Sequence, residues 1–461
     1  MRAIPTLKIS VSGVRGVVGE SLTPEMVTRF AQALGTYVGG GRVVIGRDPR
    51  TSGEMVRQAV VAGLVSSGCR VSDLGVCPTP TVQLLVRELG ASGGIAITAS
   101  HNPPEWNALK FVGNDGLFLS AARGRELLDI YHQGDYVKAP GAAQRPPERI
   151  PDAVDRHVRA VVAGIGRLPE GAPGLKVVVD PGGGAASVAA PRLVEALGAE
   201  VEAIYTTADG HFPRPAEPVV ENLGALGEAV RTHGADVGFA QDMDGDRLAI
   251  VDATGTPIGE ELTLVLAAEQ VLAHTPGPIT TNVATTDAVE AMASRYGVAV
   301  NRTRVGEANV AEGMRHSGAV IGGEGNGGVL YPKVNFGRDS LVGMALVLHR
   351  LAETGRSVAD LAAPYDAYRV VKILRPCPID RARVLLEKAR GLWAEHSPDL
   401  LDGVKVRLPE GWFIIRPSNT EPVVRVIAEA GTEDAARGLA EQAWTLAAET
   451  LDEHGSHGGQ L

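Results

Sequence analysis

Leu175-Lys-Val-Val-Val-Asp-Pro-Gly-Gly-Gly184 decides the architecture: an apolar run of strand length stops at a proline and three glycines. A helical stretch over 185–197 and a second strand over 198–204 follow it. The same order recurs twice. Gly41-Arg-Val-Val-Ile-Gly46 leads into a helix over 52–67, with Met55, Val56, Ala59, Val60, Gly63 and Leu64 on one face, and then a strand over 68–73. Pro278-Ile-Thr-Thr-Asn-Val283 leads into a helix over 285–296 and a strand over 297–302. Each copy adds one more helix and strand, and each last strand runs into a loop rich in polar residues or glycine. Those segments are Gly94-Ile-Ala-Ile-Thr-Ala-Ser-His-Asn102, Ala235-Asp-Val-Gly-Phe-Ala-Gln-Asp-Met-Asp-Gly-Asp-Arg247 and Gly318-Ala-Val-Ile-Gly-Gly-Glu-Gly-Asn-Gly-Gly328. Strand and helix in alternation build an α/β domain on a largely parallel sheet, where ligands collect at the carboxyl ends of the strands. The expectation is three related α/β mixed-sheet domains, over 1–150, 151–254 and 255–364, each presenting an equivalent loop. From 365 to 461 the unit is missing, and a smaller C-terminal α+β domain is expected. The Pro-rich stretch 139–147 reads as a linker or exposed loop, and the tail from 453 as frayed.

Composition narrows the function. The chain has 461 residues with 44 Lys+Arg against 54 Asp+Glu, a formal charge of −10, so no extended basic surface is expected for nucleic acid or a membrane. An anionic substrate must be met by a local cluster of Arg and Lys. Glycine, at 57 residues, is nearly double the usual share of about 7%, which points to tight turns and backbone-lined loops. Cys69, Cys77 and Cys377 form no C-x-x-C, so neither a disulfide framework nor a zinc pair is expected. No secretion signal and no membrane span is read, and the expected setting is soluble and cytoplasmic.

Four loops carry chemistry. Asp242-Met-Asp-Gly-Asp246 sets carboxylates at alternate positions, which point the same way in an extended loop and suit a hard cation such as Mg²⁺ or Ca²⁺. An EF-hand is excluded by Arg247 and Ala253 where it needs Gly and Glu; a solvated acidic turn stays open. In Thr98-Ala-Ser-His-Asn-Pro-Pro104, Ser100 beside His101 suggests a nucleophile and base. Adjacent residues in an extended loop point apart, however, and no Gly-x-Ser-x-Gly elbow is present. A Ser100 that carries a phosphoryl group, balanced by a divalent metal, Lys110 and arginines, fits the chain better. In Gly322-Gly-Glu-Gly-Asn-Gly-Gly328, Glu324 and Asn326 alternate and can face a polyhydroxyl ligand, though a purely structural glycine turn explains the loop as well. Arg416-Pro-Ser-Asn-Thr-Glu-Pro422, with Arg425, offers a guanidinium fork, hydroxyls and an amide to a phosphate, against the alternative of a polar turn. Arg15 and Arg47-Asp-Pro-Arg50 add positive charge, with Arg47 and Asp48 open to a structural reading. Pro181-Gly-Gly-Gly184 lacks the G-x-G-x-x-G spacing of a dinucleotide site and is assigned to the repeat. His157, His211, His233 and His316 are expected at the surface.

As an ordered set, Gly-Val-Arg-Gly16, Thr-Ala-Ser-His-Asn-Pro103, Asp-Met-Asp-Gly-Asp-Arg247, Gly-Glu-Gly-Asn-Gly327 and Arg-Pro-Ser-Asn-Thr-Glu-Pro422 resemble the α-D-phosphohexomutase family over essentially the whole chain. The resemblance implies a heart-shaped four-domain fold around a central cleft and an isomerase that interconverts hexose 1- and 6-phosphates. It makes Ser100 the phosphoserine and a metal ligand beside Asp242, Asp244 and Asp246, with Mg²⁺ as the metal. Glu324 becomes the sugar-hydroxyl anchor, and Arg416, Ser418, Asn419, Thr420 and Arg425 the site of the substrate's existing phosphate. Arg15, Lys110 and Arg247 flank the transferring phosphoryl group, Lys110 also moving a proton, and His101 joins this catalytic set. A hexose bisphosphate is the implied intermediate and activator, and a monomer or homodimer the implied assembly. Two departures stand out: Asn326 and Gly328 replace the Ser and His of the common bacterial sugar loop. Gly13-Val-Arg-Gly16 and Arg304-Val-Gly306-Glu307 lean towards the phosphoglucosamine mutase branch, against phosphomannomutase or phosphoglucomutase, and add Arg304 and Gly306 to the substrate contacts. Outside the family stand a metal-assisted sugar phosphatase and a catalytically silent sugar-phosphate binding protein.

Overall fold

The computed structural model describes residues 6–10, 13–170, 174–417 and 423–452. Its first sheet holds β1 (Lys8–Ser10), β2 (Gly13–Val17), β3 (Arg42–Arg47), β4 (Arg70–Val76), β5 (Gly93–Ile97), β6 (Trp106–Gly113) and β7 (Glu148–Arg149) in the spatial order β1-β2-β6-β5-β3-β4-β7. The second holds β8 (Lys176–Asp180), β9 (Glu200–Ala203), β10 (Val237–Gln241) and β11 (Leu248–Asp252) in the order β11-β10-β8-β9. The third holds β12 (Ile279–Asn282), β13 (Val300–Thr303), β14 (Ile321–Glu324) and β15 (Gly328–Leu330) in the order β13-β12-β14-β15. One pattern underlies all three: three parallel strands, then an antiparallel return next to the last of them. The serine, carboxylate and glycine loops are therefore the same turn in three copies, joining β5 to β6, β10 to β11 and β14 to β15 at the carboxyl end of the last parallel strand. That is where side chains can converge on a ligand.

The fourth sheet, β16 (Arg369–Pro376), β17 (Val404–Leu408), β18 (Gly411–Pro417) and β19 (Val423–Ala430), is wholly antiparallel in the order β16-β19-β18-β17. Helices Ile379–Leu392 and Glu433–Asp452 pack on it around Val406, Phe413, Val426 and Leu385. Among the described residues no helix is long and apolar enough to cross a membrane.

Some boundaries differ from the sequence reading, for local reasons. The helix expected over 185–197 begins only at Ala189, because Gly182 and Gly183 take φ of 61° and 69° and carry the chain round a turn open to glycine. A Cβ on Gly184 would lie 2.8 Å from the Met243 backbone, so this glycine lets the turn close on the carboxylate loop.

Candidate active site

Ser100 sits where β5 leaves the sheet, buried, with φ of 51°, in a left-handed conformation that costs a non-glycine residue about 1–2 kcal/mol. Arg50 holds it there. Its guanidinium donates to the carbonyls of Ser100 and Asn102 at 2.7 Å each, to that of Trp106 at 3.1 Å, and to that of Pro103. Asp48 accepts from Arg50 Nε at 2.9 Å and from the Thr98 hydroxyl at 2.6 Å, and that hydroxyl accepts from the Ser100 N–H at 2.9 Å. Both members of the Asp48–Arg50 pair are fully buried. The loop is thus preset, and its hydroxyl has one direction: Ser100 Oγ donates to Asp242 Oδ2 at 2.7 Å, while His101 Nδ1 stands 3.5 Å away. The serine addresses the carboxylate loop, and the adjacent imidazole is its more distant partner.

The carboxylate loop is built around its own backbone. Asp242 Oδ1 accepts from the N–H groups of Asp246 and Arg247 at 3.1 Å each. Lys110 Nζ and the Thr79 hydroxyl both donate to Asp244 Oδ2 at 2.7 Å. The three carboxylates each offer an oxygen within 4.8 Å of the others, all buried. Burial, then the charges of Asp246 and Asp244, push the Asp242 carboxyl well above the usual carboxylate range. Burial also works upward on Asp244, but the Lys110 charge and hydrogen bonds involving Asp242, Lys110 and Thr79 outweigh it and hold that group below the range. Asp244 Oδ1 and Asp246 Oδ1 are buried without a hydrogen-bond partner. Unpaired buried carboxylate oxygens are costly unless a cation meets them, so these residues fit a hard divalent metal. Around them lie Arg15, which donates to Asn102 Oδ1 at 2.6 Å, and Arg247, which pairs with Glu217 at 2.9 Å. The charge of Arg247, then burial, then Arg15 and Lys110 press the His101 imidazole well below its usual pKa. A pocket that suppresses a cation in this way suits an anion such as a phosphoryl group.

Glu324, at the end of β14, is buried, and its Oε1 accepts from Asn282 Nδ2 at 2.9 Å and from the Gly306 N–H at 2.8 Å. Asn326 folds back on its loop, accepting from the Gly328 N–H at 3.2 Å. Arg304 is exposed and donates to the Leu401 carbonyl at 3.0 Å, so of the residues 304 and 306 only Gly306 touches Glu324. Arg416 is buried, 3.3 Å from Asp402, and stands directly opposite Arg425 across β18 and β19. The pair offers two guanidinium groups side by side, a donor set suited to an anion. Ser418, Asn419 and Thr420 lie outside the described residues.

Three residues were given no specific role by the sequence reading. Arg50 was visible only as one charge in Arg47-Asp-Pro-Arg50. Arg338 reaches Asp246 and Glu324 from a stretch with no motif, and Glu307 lies against Arg338 at 3.2 Å, its own carboxyl pushed up to about 7 by burial against the pull of that arginine. Expected at the surface, His157 is instead completely buried: Nε2 is 2.7 Å from Asp339 Oδ2 and Nδ1 is 2.8 Å from the Thr81 hydroxyl. It lies on the buried face of helix Ala153–Ile165, where an imidazole with two partners is well accommodated. The other three histidines are exposed.

Comparison with known proteins covers most of the chain. Models of the phosphoglucomutase/phosphomannomutase family match in four parts: alpha/beta/alpha domain I over residues 6–138, domain II over 155–255, domain III over 259–368 and the C-terminal domain over 352–445. A probable phosphoglucosamine mutase of Methanopyrus kandleri is 38% identical over 437 residues, 94% of this chain and 95% of that one. A phosphoglucomutase/phosphomannomutase of Thermococcus kodakarensis is 35% identical over 449 residues, 95% of this chain and 98% of its own. Among solved structures, a phosphoglucomutase/phosphomannomutase family protein of Burkholderia thailandensis superposes with a TM-score of 0.84 at 28% identity, over 98% of both chains.

Proposed function

Because this chain belongs to the α-D-phosphohexomutase family and is an isomerase, we propose that it moves the phosphoryl group of a hexose phosphate between O1 and O6 through Ser100. Glucosamine phosphate is the favoured sugar, in line with the names of several relatives; mannose and glucose phosphates are the alternatives. The observation that carries the reading is the 2.7 Å hydrogen bond from a preset Ser100 Oγ to the carboxylate loop. Phosphoserine 100 gives its phosphoryl group to the free sugar hydroxyl: the bond from phosphorus to the serine oxygen breaks and one to the sugar oxygen forms. The Lys110 ammonium gives a proton to the departing serine oxygen and regains one from the attacking hydroxyl, so the protons balance. The hexose bisphosphate then turns over, and its other phosphate restores phosphoserine.

In this reading Asp242, Asp244 and Asp246, with the Ser100 oxygen, hold Mg²⁺. When bound, that ion offsets charge on the phosphoryl oxygens. Lys110, Arg15 and Arg247 line the transfer site, with His101 as a neutral donor or acceptor at its edge. Glu324, with Asn326 and Gly306, takes the sugar hydroxyls, while Arg416 and Arg425, with Ser418, Asn419 and Thr420, take the phosphate that is not in transfer. Residues 1–150, 151–254, 255–364 and 365–461 serve as its four working units, and its place is the cytoplasm, as a monomer or homodimer.

The test is a mutase assay with Mg²⁺ and catalytic bisphosphate on glucosamine 6-phosphate, mannose 1-phosphate and glucose 1-phosphate, with free phosphate followed in parallel. Isomerisation without phosphate release is expected and ranks the sugars. Phosphate release without isomerisation would replace this reading by a phosphatase.

A further inference from the structure

Arg338 stands between two loops that the chain places 78 positions apart at Asp246 and Glu324. Its Nη2 donates to Asp246 Oδ2 at 2.6 Å and its Nη1 to Glu324 Oε2 at 2.8 Å, and its side chain is only 11% exposed. The remaining nitrogen, Nε, lies 3.2 Å from Glu307 Oε2, and Gln83 of the first domain donates to the other oxygen of Glu307 at 2.6 Å. One guanidinium therefore meets the carboxylate loop, the glycine loop and, through Glu307, a helix of the first domain. Glycine 328 has its explanation here as well. A Cβ at that position would lie 2.2 Å from Arg338 Cδ and 2.8 Å from its Cγ, so the arginine stem fills the space a side chain at 328 would need.

We propose that Arg338 is a positioning residue for the mutase reaction: it fixes Asp246 of the metal loop relative to Glu324 of the sugar loop, and its stem occupies the space that a side chain at position 328 would need. The proposal rests on the functional reading above. Its chemistry is specific to arginine. A planar fork delivers two separate N–H donors to two carboxylates at set angles, which an ammonium cannot do. Its charge also opposes a divalent cation on Asp246, because both compete for the same carboxylate. Removing Arg338 should therefore have two effects of opposite sign. The metal binds more tightly, and the sugar, whose anchor Glu324 has lost its orienting partner, binds more weakly.

The experiment compares Arg338→Met and Arg338→Lys with the unaltered chain, using Mn²⁺ binding at equilibrium by electron paramagnetic resonance of the free ion. KM and kcat are measured alongside for whichever of the three sugar phosphates the mutase assay ranks first. For Arg338→Met the Mn²⁺ dissociation constant should fall and KM should rise, each by about tenfold, the scale of one charge-assisted hydrogen bond. For Arg338→Lys the Mn²⁺ constant should return close to that of the unaltered chain while KM stays raised. Gly328→Ala, with Arg338 in place, should raise KM in the same sense by displacing the stem. Unchanged constants in Arg338→Met, or Mn²⁺ and sugar weakening together as in a loosened fold, overturn the proposal. If the unaltered chain isomerises none of the three sugars, it is the functional reading that has failed, and the Mn²⁺ measurements still report on Arg338 and Asp246.

Discussion

If Ser100 carries the phosphoryl group, as proposed, Ser100→Ala should cut turnover by about a thousandfold or more. A sugar phosphate should still bind, because the contacts proposed for Arg416 and Glu324 do not involve the serine; calorimetric titration beside the mutase assay checks both halves. Loss of binding together with turnover would mean that Ser100 is structural. Arg50 presents the opposite case, a residue that never reaches the reacting atoms yet sets where they lie. Arg50→Met leaves Asp48 buried without its partner, which costs about 3–5 kcal/mol in such pairs. It also frees Ser100 from its left-handed conformation, so both the thermal midpoint and kcat should fall. Retained kcat at a lowered midpoint would show that the clamp serves the fold alone. The contrast between the two residues explains what the sequence disclosed. Ser100, the three aspartates and Glu324 lie in contiguous polar or glycine-rich runs that single them out as candidates, whereas Arg50 and Arg338 act across 50 and 92 positions on Ser100 and Asp246, and nothing local marks such partners.

At the scale of the element, the repeated strand-to-return turn was legible because apolar runs, glycines and helical faces recur in a fixed order. The two-residue β7 and the pair β1–β2 were not, since segments that short carry no periodicity. Strand β17 illustrates a further limit: Val404-Lys-Val-Arg-Leu408 alternates as an exposed-edge strand should, yet Lys405 is buried. Its ammonium lies 3.7 Å over the Trp412 ring and donates to the Val283 carbonyl at 2.7 Å. Burial, then the charge of Arg302, with Arg407 adding to it, depress the Lys405 pKa to about 8, against Asp287. The unfolded chain, with a lysine near its ordinary 10.5, binds more protons than the folded one between those two values. Stability from this group therefore rises as pH climbs from about 8 towards 10.5. Scanning calorimetry between pH 7.5 and 10 should show the midpoint of Lys405→Met falling behind the unaltered chain by about 2–4 °C over that interval. Parallel curves would mean that Lys405 titrates in the folded protein as it does unfolded.

The whole molecule divides less evenly than its repeats suggest. The second and third sheets share one apolar core, in which helix Ser340–Thr354 packs on Glu261–His274, Ala153–Ile165 and Ala189–Leu197. No single-strand pattern reveals this, because an apolar face shows that it is covered but not by which neighbour. The antiparallel C-terminal sheet has its own core and meets the rest through a small cluster around Trp412 and Ile414 and through polar links. Lys372 pairs with Glu260 at 2.9 Å and Glu261 at 2.7 Å and donates to the Gly325 carbonyl at 2.8 Å, and Glu429 accepts from Thr286 and the Asp287 N–H. Links of this kind leave the C-terminal unit free to open before the shared core does. Amide hydrogen exchange should therefore show β18 and β19 exchanging through a lower-energy opening than β8, β10, β12 and β14. A hexose bisphosphate that engages Ser100 and Arg416 at once would couple the two bodies. At 100 times its dissociation constant it adds about 2.7 kcal/mol to any opening that releases it, so exchange in β18 and β19 should slow by up to about a hundredfold along with the loops after β5 and β10. Protection confined to the first three sheets would remove Arg416 from the ligand site, and equal exchange in all four sheets without ligand would show that the polar links bind the C-terminal unit as firmly as the shared core binds the other two.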